Sequence, residues 1–165
     1  MRILVTGASG SGTSTLGAAL ATQRGAQFLD ADDYFWMPTQ PPYKEKRSRE
    51  ERLANIIKSL ARQSDSVVAG SVMEWGEGLE KSFDFVVFLQ VPTAVRLDRL
   101  VRREKERFGA ANPEFLEWAR KYDEGPPEGR SLSKHNAWLQ TQQCPVIRIV
   151  GELPTIEQLN LLSSR

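Results

Sequence analysis

Residues 7–15 have a composition suited to binding phosphate groups. They read Gly-Ala-Ser-Gly-Ser-Gly-Thr-Ser-Thr, so that three glycines are set among small hydroxyl residues. Glycine adopts positive φ without strain, which lets such a loop turn several backbone N–H groups toward one anion. A helix that begins directly after the loop would add the partial positive charge of its N-terminus. The pattern predicts a site for a phosphate-bearing ligand; the alternative is a plain tight turn between a strand and a helix.

Two phosphate-binding motifs fit this loop, and each of them misses one position. The pattern G-x-x-x-x-G-K-[ST] fits Gly7, Gly12 and Ser14 but has Thr13 where it requires lysine. The dinucleotide pattern G-x-x-G-x-x-G fits Gly7 and Gly10 and then also fails at Thr13. Ser14 favours the first motif, because its hydroxyl is placed to hold a magnesium ion that bridges phosphates.

Asp30, at the end of the second predicted strand, is compatible with both motifs, since a dinucleotide fold places a ribose-binding acid there. Chain length favours the first motif. A dinucleotide enzyme normally adds a substrate domain or a Tyr-x-x-x-Lys pair, and no tyrosine of this sequence has lysine four residues later. An oxidoreductase that binds NAD(P) therefore stays as the third alternative.

Composition bounds the class of protein. A chain of 165 residues with 40% hydrophobic and 26% charged residues predicts one globular domain over 1–165. The formal charge of +1 gives no overall attraction to nucleic acid or to a membrane surface, so neither is expected as a partner. One cysteine excludes an internal disulfide and predicts a cytoplasmic protein, expected as a monomer or homodimer. No apolar run approaches the ~18 residues that a membrane span needs.

Periodicity predicts strands that alternate with helices, and hence an α/β fold with a parallel sheet. Short apolar runs predict five strands, at 3–5, 27–30, 67–70, 85–89 and 146–150. Apolar residues at helical spacing predict helices after the glycine loop and at 48–63, 93–108, 115–122, 131–141 and 155–162. Ser48, with Glu51 three residues later, predicts a capping box, and Ile156, Leu159 and Leu162 are expected to face inward. The aromatic and proline-rich stretch 34–43 is predicted to be a loop.

With these elements in place, the chain resembles small P-loop kinases of the nucleoside-monophosphate kinase group, which includes adenylate, cytidylate, shikimate and gluconate kinases. The resemblance covers nearly the whole chain and rests on the loop 7–15, on Asp30-Ala31-Asp32 and on the arginines of 99–107. It implies a P-loop NTPase fold: a three-layer sandwich around a five-stranded parallel sheet of order 2-3-1-4-5. It also implies an acceptor-binding insert at about 34–64 and a lid at about 103–131.

The resemblance also implies roles for single residues. Asp30, together with Ser14, would hold Mg²⁺, and Asp32 would face the acceptor hydroxyl as catalytic base. Arg103 would hold the phosphates during transfer. ATP would be bound by Gly7, Ala8, Ser9, Gly10, Ser11, Gly12, Thr13, Ser14, Thr15 and Arg99.

Four arginines of the helix 93–108 recur at steps of three or four residues and share one face: Arg96, Arg99, Arg103 and Arg107. A guanidinium suits phosphate oxygens, so this face predicts phosphate contact, with a solvated helix face as the alternative. Beside it, Leu97, Leu100, Val101 and Phe108 are expected to pack. Arg130, just after Gly-Pro-Pro-Glu-Gly, is a second catalytic candidate from the far side of the lid.

The remaining candidates are weaker. The predicted insert begins with cations that could hold an anionic acceptor, or could simply be solvated: Lys44, Lys46, Arg47 and Arg49. Glu74 and Trp75 follow the third strand, where the resembled kinases contact their acceptor. His135, the one histidine, is interpreted as structural because no cysteine or second histidine lies near it in sequence.

We therefore expect a phosphotransferase that uses ATP and Mg²⁺ and acts on a small molecule. A nucleotide or nucleoside is the leading acceptor class, and a small hydroxylated metabolite comes next. Because Thr13 replaces the lysine that would supply a charge to the phosphates, a non-catalytic or regulatory nucleotide-binding protein is the alternative.

Overall fold

A computed structural model of the protein describes residues 1–125 and 129–163. The strands, numbered in chain order, are β1 (Arg2–Gly7), β2 (Gln27–Asp30), β3 (Ser66–Ala69), β4 (Phe85–Gln90) and β5 (Val146–Val150). The helices are α1 (Thr13–Arg24), α2 (Ala31–Phe35), α3 (Arg49–Leu60), α4 (Glu77–Glu80), α5 (Thr93–Phe108), α6 (Pro113–Arg120), α7 (Leu132–Gln140) and α8 (Thr155–Leu162). No helix of the described residues combines the length and the apolar composition that a membrane crossing requires.

The five strands form one parallel sheet in the order β2-β3-β1-β4-β5. The predicted fold class and strand order are thus confirmed. β1 lies in the centre, and all strands point the same way, so their carboxyl ends meet at one edge of the sheet. The loop after β1 and the acidic residues after β2 are therefore brought to the same edge.

Helices cover both faces of the sheet because consecutive strand residues point to opposite sides. Leu4, Val68 and Val86 face a core that is completed by α3 and α7. Ile3, Val67 and Val87 face a second core that is completed by α1 and α8. Strands buried on both faces read as continuous apolar runs, which is why periodicity found them.

Several local predictions are confirmed residue by residue. α5, β5 and α8 have the predicted bounds. Ser48 caps α3 in a capping box with Glu51: the Glu51 N–H donates to the Ser48 hydroxyl at 3.1 Å, and the Ser48 N–H donates to the Glu51 carboxylate at 3.2 Å. These features depend on neighbours in sequence, so a sequence pattern suffices to predict them.

Other local predictions are corrected. Tyr34 and Phe35, predicted in a loop, form the end of α2, because Asp30 caps this short helix by accepting from the Asp32 N–H. The single turn α4 had no strong pattern and was missed. Ile156 and Phe108 are exposed rather than packed, at 64% and 47% of their surface, since each lies off the buried face of its helix.

Candidate active site

The loop between β1 and α1 has the backbone form that the glycine pattern predicts. Gly12 is the N-cap of α1 and, like Gly10, has positive φ. Within the described residues, the N–H of Ser11 donates to the carbonyl of Ala8 at 3.1 Å, while no backbone partner is found for the N–H groups of Ser9, Gly10 and Gly12. The loop therefore retains donors for an anion at the N-terminus of a helix.

Close contacts with neighbouring strands and helices explain two of the glycines. A Cβ at Gly10 would lie 2.6 Å from the carbonyl oxygen of Arg96, and one at Gly7 would lie 2.6 Å from the carbonyl oxygen of Leu89. Both contacts are with backbone, which cannot turn aside as a flexible side chain could. The loop is thus wedged against β4 and the start of α5.

Ser14 and Asp30 are in direct contact at the edge where β1 and β2 end. The Ser14 hydroxyl donates to Asp30 Oδ2 at 2.6 Å, while Asp30 Oδ1 accepts from the backbone N–H of Asp32 at 3.0 Å. A hydroxyl and a carboxylate beside a phosphate-binding loop are the few oxygen ligands that Mg²⁺ takes from a protein when phosphates and water supply the rest. The residues present therefore fit a magnesium–phosphate site.

No group of three or more His, Cys, Asp or Glu residues that could enclose a metal ion occurs in the described part of the chain. A site built only from protein ligands is thus not found there. The Ser14–Asp30 pair suits an ion that arrives with its phosphates.

Asp32 lies where acidic and basic side chains meet. Burial, together with the nearby charge of Asp30, raises the pKa of the Asp32 carboxyl, while the charges of Arg130 and Arg103 oppose this rise. All four side chains are consequently within electrostatic range of one another. The structure brings together residues that the sequence placed in the predicted insert and in the predicted lid.

Arg130 reaches the glycine loop directly. Its Nη2 atom donates to the Ser9 hydroxyl at 3.4 Å, and its guanidinium lies 5.8 Å from the centre of the Trp118 ring. Burial is the main factor that lowers the pKa of Arg130, and the charge of Asp32 acts in the opposite direction. Residues 126–128, which the sequence analysis assigned to the lid, lie outside the described residues.

Arg103 is nearby and incompletely paired. Its closest carboxylate within the described chain is that of Glu104, at 3.7 Å, and its Nε atom is buried with no hydrogen-bond partner there. Arg99 lies against the loop, with Nη1 3.5 Å from the Ser11 carbonyl, and Nη2 pairs with Glu152 at 3.0 Å. The predicted contacts of Arg99 and Arg103 with ATP remain predictions.

The predicted arginine face of α5 is divided rather than continuous. Arg96 is 1% exposed, and its guanidinium donates to the carbonyls of Val91, Ser9 and Ala119 at 3.1, 3.4 and 3.2 Å. Its Nη2 atom also donates to the Thr93 hydroxyl at 2.8 Å and lies 3.5 Å from Asp123. Arg107 is exposed near the other end of the helix. Spacing alone could not separate a saturated buried arginine from available ones.

The cations of the predicted insert are also divided. Arg47 Nη1 donates to the carbonyls of Asp33, Tyr34 and Trp36, at 2.8, 3.2 and 2.5 Å, and so completes the end of α2. Arg52, which no motif singled out, lies over the aromatic rings of Phe35 and Trp75. Trp75 itself is buried in the core.

His135 has the surroundings of a structural residue. It is fully buried, and its Nδ1 atom is 2.5 Å from the Tyr122 hydroxyl. Burial, assisted by the charge of Arg130, lowers the pKa of His135 to about 3. The imidazole is therefore neutral at physiological pH.

Comparison with known proteins gives one family and one relative. The family described as AAA domain (AAA_18) matches residues 3–115. A Bacillus subtilis (strain 168) protein, named Uncharacterized protein YqaC, is 37% identical over 168 residues, which cover 96% of this chain and 93% of that protein.

Three solved kinases share the fold. A Sinorhizobium meliloti 1021 gluconokinase is 22% identical with a TM-score of 0.57, covering 96% of this chain and 87% of that one. An Acinetobacter baumannii shikimate kinase in complex with shikimate is 20% identical with a TM-score of 0.60, covering 99% and 93%. A deoxyadenosine kinase from M. mycoides with bound dATP is 18% identical with a TM-score of 0.62, covering 99% and 98%. At these identities the likeness concerns the fold, which is that of P-loop kinases.

Proposed function

The chain belongs to the AAA domain family, and from this premise we propose that it is a kinase that transfers a phosphoryl group from ATP to a small molecule. The observation that carries the proposal is the hydrogen bond of 2.6 Å between Ser14 and Asp30. It joins the phosphate-binding loop to the acidic residues after β2, at the edge where ligands of parallel sheets bind. A plain strand-to-helix turn does not need this pair.

The residues divide the work as follows. The loop 7–15 binds the phosphates of ATP through its N–H groups, and Arg99 contacts the nucleotide. Ser14 and Asp30 would hold Mg²⁺, which neutralises phosphate charge when bound. Phosphoryl transfer depends mainly on such positioning and electrostatics.

In the transfer, the bond between the γ-phosphorus and its bridging oxygen breaks, which leaves ADP. A bond forms between that phosphorus and an oxygen of the acceptor. Where the acceptor oxygen is a hydroxyl, its proton passes to the carboxylate of Asp32, whose raised pKa favours that acceptance. Arg103 and Arg130 supply the positive charge that Thr13 cannot.

We further propose that the segment of about 34–64 binds the acceptor and that the segment of about 103–131 acts as a lid that excludes water. A nucleotide or nucleoside is the leading acceptor class. The charges around Asp32 support this arrangement, because they come from both segments and from the loop edge.

Thr13 favours a second candidate, a regulatory protein that binds nucleotide without transferring phosphate. The two candidates share the ligand site and differ only in turnover. The test must therefore measure binding and transfer separately.

The test uses thermal shift with ATP, GTP and NAD, each with and without Mg²⁺, followed by ADP production across a panel of acceptors. We expect stabilisation by ATP with Mg²⁺ and ADP production with one acceptor class, which Asp32→Asn reduces and Asp98→Asn, at an exposed carboxylate paired with Arg102, does not. Stabilisation by ATP without turnover would favour the regulatory candidate. Stabilisation by NAD alone would contradict both.

A further inference from the structure

Two aromatic rings lie beside Asp32 at the active-site edge of the sheet. Phe35 and Trp75 stack with centroids 6.4 Å apart and planes at 27°. Phe35 is three residues after Asp32 in α2, so the two side chains lie on one side of that helix, roughly 5–6 Å apart at Cβ. The ring pair is thus about one side chain away from the proposed catalytic base.

The guanidinium of Arg52 covers both rings. Its Cζ atom is 4.8 Å from the centre of Phe35 and 5.1 Å from that of Trp75. The Nε atom is buried without a hydrogen-bond partner, and no carboxylate among the described residues lies within salt-bridge distance of this side chain. The cation is therefore held by aromatic faces and retains unused donors.

Two more cations approach the same rings. Arg49 Nε donates to the carbonyl of Trp75 at 3.5 Å, and Lys46 Nζ lies 5.9 Å from the centre of Phe35. Burial and the charge of Arg49 lower the pKa of Arg52, which the charges of Glu74 and Glu50 oppose. A half-buried guanidinium with unpaired N–H groups is costly, and a bound anion would offset that cost.

We propose that the acceptor carries an anionic group, a carboxylate or a phosphate, and that Arg52 binds this group beside the Phe35–Trp75 pair. The inference rests on the proposed function, which it narrows from small molecules in general to acidic ones. Arginine is suited to this task because its planar fork donates two parallel hydrogen bonds to either kind of anion. Arg52 is thus a specificity-determining residue, and neutral nucleosides and sugar alcohols are excluded as preferred acceptors.

The test compares matched acceptors that differ only in the anionic group. Nucleoside monophosphates are paired with nucleosides, and sugar acids are paired with the corresponding alditols. ADP production gives KM and kcat for each, and equilibrium titration gives the affinity for the acceptor without ATP. The two pairs also distinguish a phosphate from a carboxylate as the group that is bound.

Four proteins are assayed: the unaltered chain, Arg52→Met, Arg52→Lys and the control Arg62→Met. Methionine retains packing on the rings without the charge, and Arg62 is an exposed arginine just after α3. We expect Arg52→Met to raise KM for the anionic acceptor by about 10- to 100-fold, the range for a charged hydrogen bond, with KM for ATP unchanged. Arg52→Lys should recover part of the loss, and Arg62→Met should change neither constant.

Equal use of the neutral and acidic members of a pair would overturn the inference, as would an equal effect of Arg52→Met on both. In either case phosphoryl transfer still occurs, so the proposed function stands. Binding of the acidic compounds through Arg52 without any phosphoryl transfer would support this anion site and contradict the kinase.

Discussion

Arg96 and Arg130 reach the same loop residue, Ser9, from two regions of the molecule. Arg96, at the start of α5, donates to the Ser9 carbonyl and to four other elements of its surroundings, and is 1% exposed. Arg130, which leads into α7, is half-buried and makes one long hydrogen bond, of 3.4 Å, to the Ser9 hydroxyl. One region has a saturated cation and the other an unsaturated one.

The difference teaches how a cation near a phosphate loop should be interpreted. Arg96 has spent its donors on protein carbonyls, so its charge fixes the loop to α5 and α6. Arg130 keeps most of its donors and faces Asp32 across the site, so its charge remains for a ligand. Removal of the first should reduce stability, and removal of the second should reduce turnover.

Arg96→Met should have the largest effect. It leaves the carbonyls of Val91, Ser9 and Ala119 without their donor and Asp123 without its cation, so we expect a loss of about 3–5 kcal/mol in the free energy of unfolding. Urea denaturation measures it, with Arg102→Met at an exposed position as control. A loss below about 1 kcal/mol would show that Arg96 is not the structural member of the pair.

Arg130→Met should lower the turnover of ATP by about 10²- to 10³-fold, as for other groups that stabilise charge in a transition state. Its free energy of unfolding should change by less than about 1 kcal/mol, because only one long hydrogen bond is lost. Arg120→Met, on the exposed face of α6, serves as control. Unchanged turnover with a large loss of stability would reverse the roles of the two arginines.

The buried support that both arginines share should make stability depend on pH. Arg96 lies over the ring of Tyr122, which bonds to His135, and the charge of Arg130 helps to lower the pKa of His135 to about 3. Between that value and the ordinary 6.5, the unfolded state binds a proton that the folded state rejects. Stability should therefore fall as pH decreases below 6.5, by up to about 1.4 kcal/mol per unit.

Denaturation at pH 7 and pH 5 measures this slope, with His135→Gln as the comparison, because glutamine can accept the Tyr122 hydroxyl without titrating. The unaltered chain should lose roughly 2 kcal/mol more than the variant over this interval. Equal losses would mean that His135 is not buried in its neutral form.

Local patterns predicted the scaffold, and packing between distant segments decided the rest. The five strands, the Ser48 capping box and the loop 7–15 depend on neighbouring residues, and the structure agrees with each. The burial of Arg96 depends on carbonyls of Ser9 and Ala119, 87 and 23 residues away, which no spacing rule reports. The position of Arg52 over Phe35 and Trp75 likewise follows from the contact of α2 with α3.

The same limit applies inside the candidate site. Ser14, Asp30 and Asp32 were found from their positions next to strands, because parallel strand ends converge. The proximity of Arg103 and Arg130 to Asp32 was expected only from the resemblance to kinases. The chain brings these charges together through helices whose relative positions the sequence does not print.

The central claim is that Arg130 supplies the charge that a lysine at position 13 would otherwise give to the terminal phosphate of ATP. Equilibrium titration with Mg²⁺ and either ATP or ADP tests it in four proteins: the unaltered chain, Arg130→Met, Thr13→Lys and the double variant. We predict that Arg130→Met lowers the preference for ATP over ADP by about tenfold, equivalent to about 1.4 kcal/mol, and that Thr13→Lys restores most of it in the double variant. An ATP preference that is the same with and without Arg130 would contradict the account.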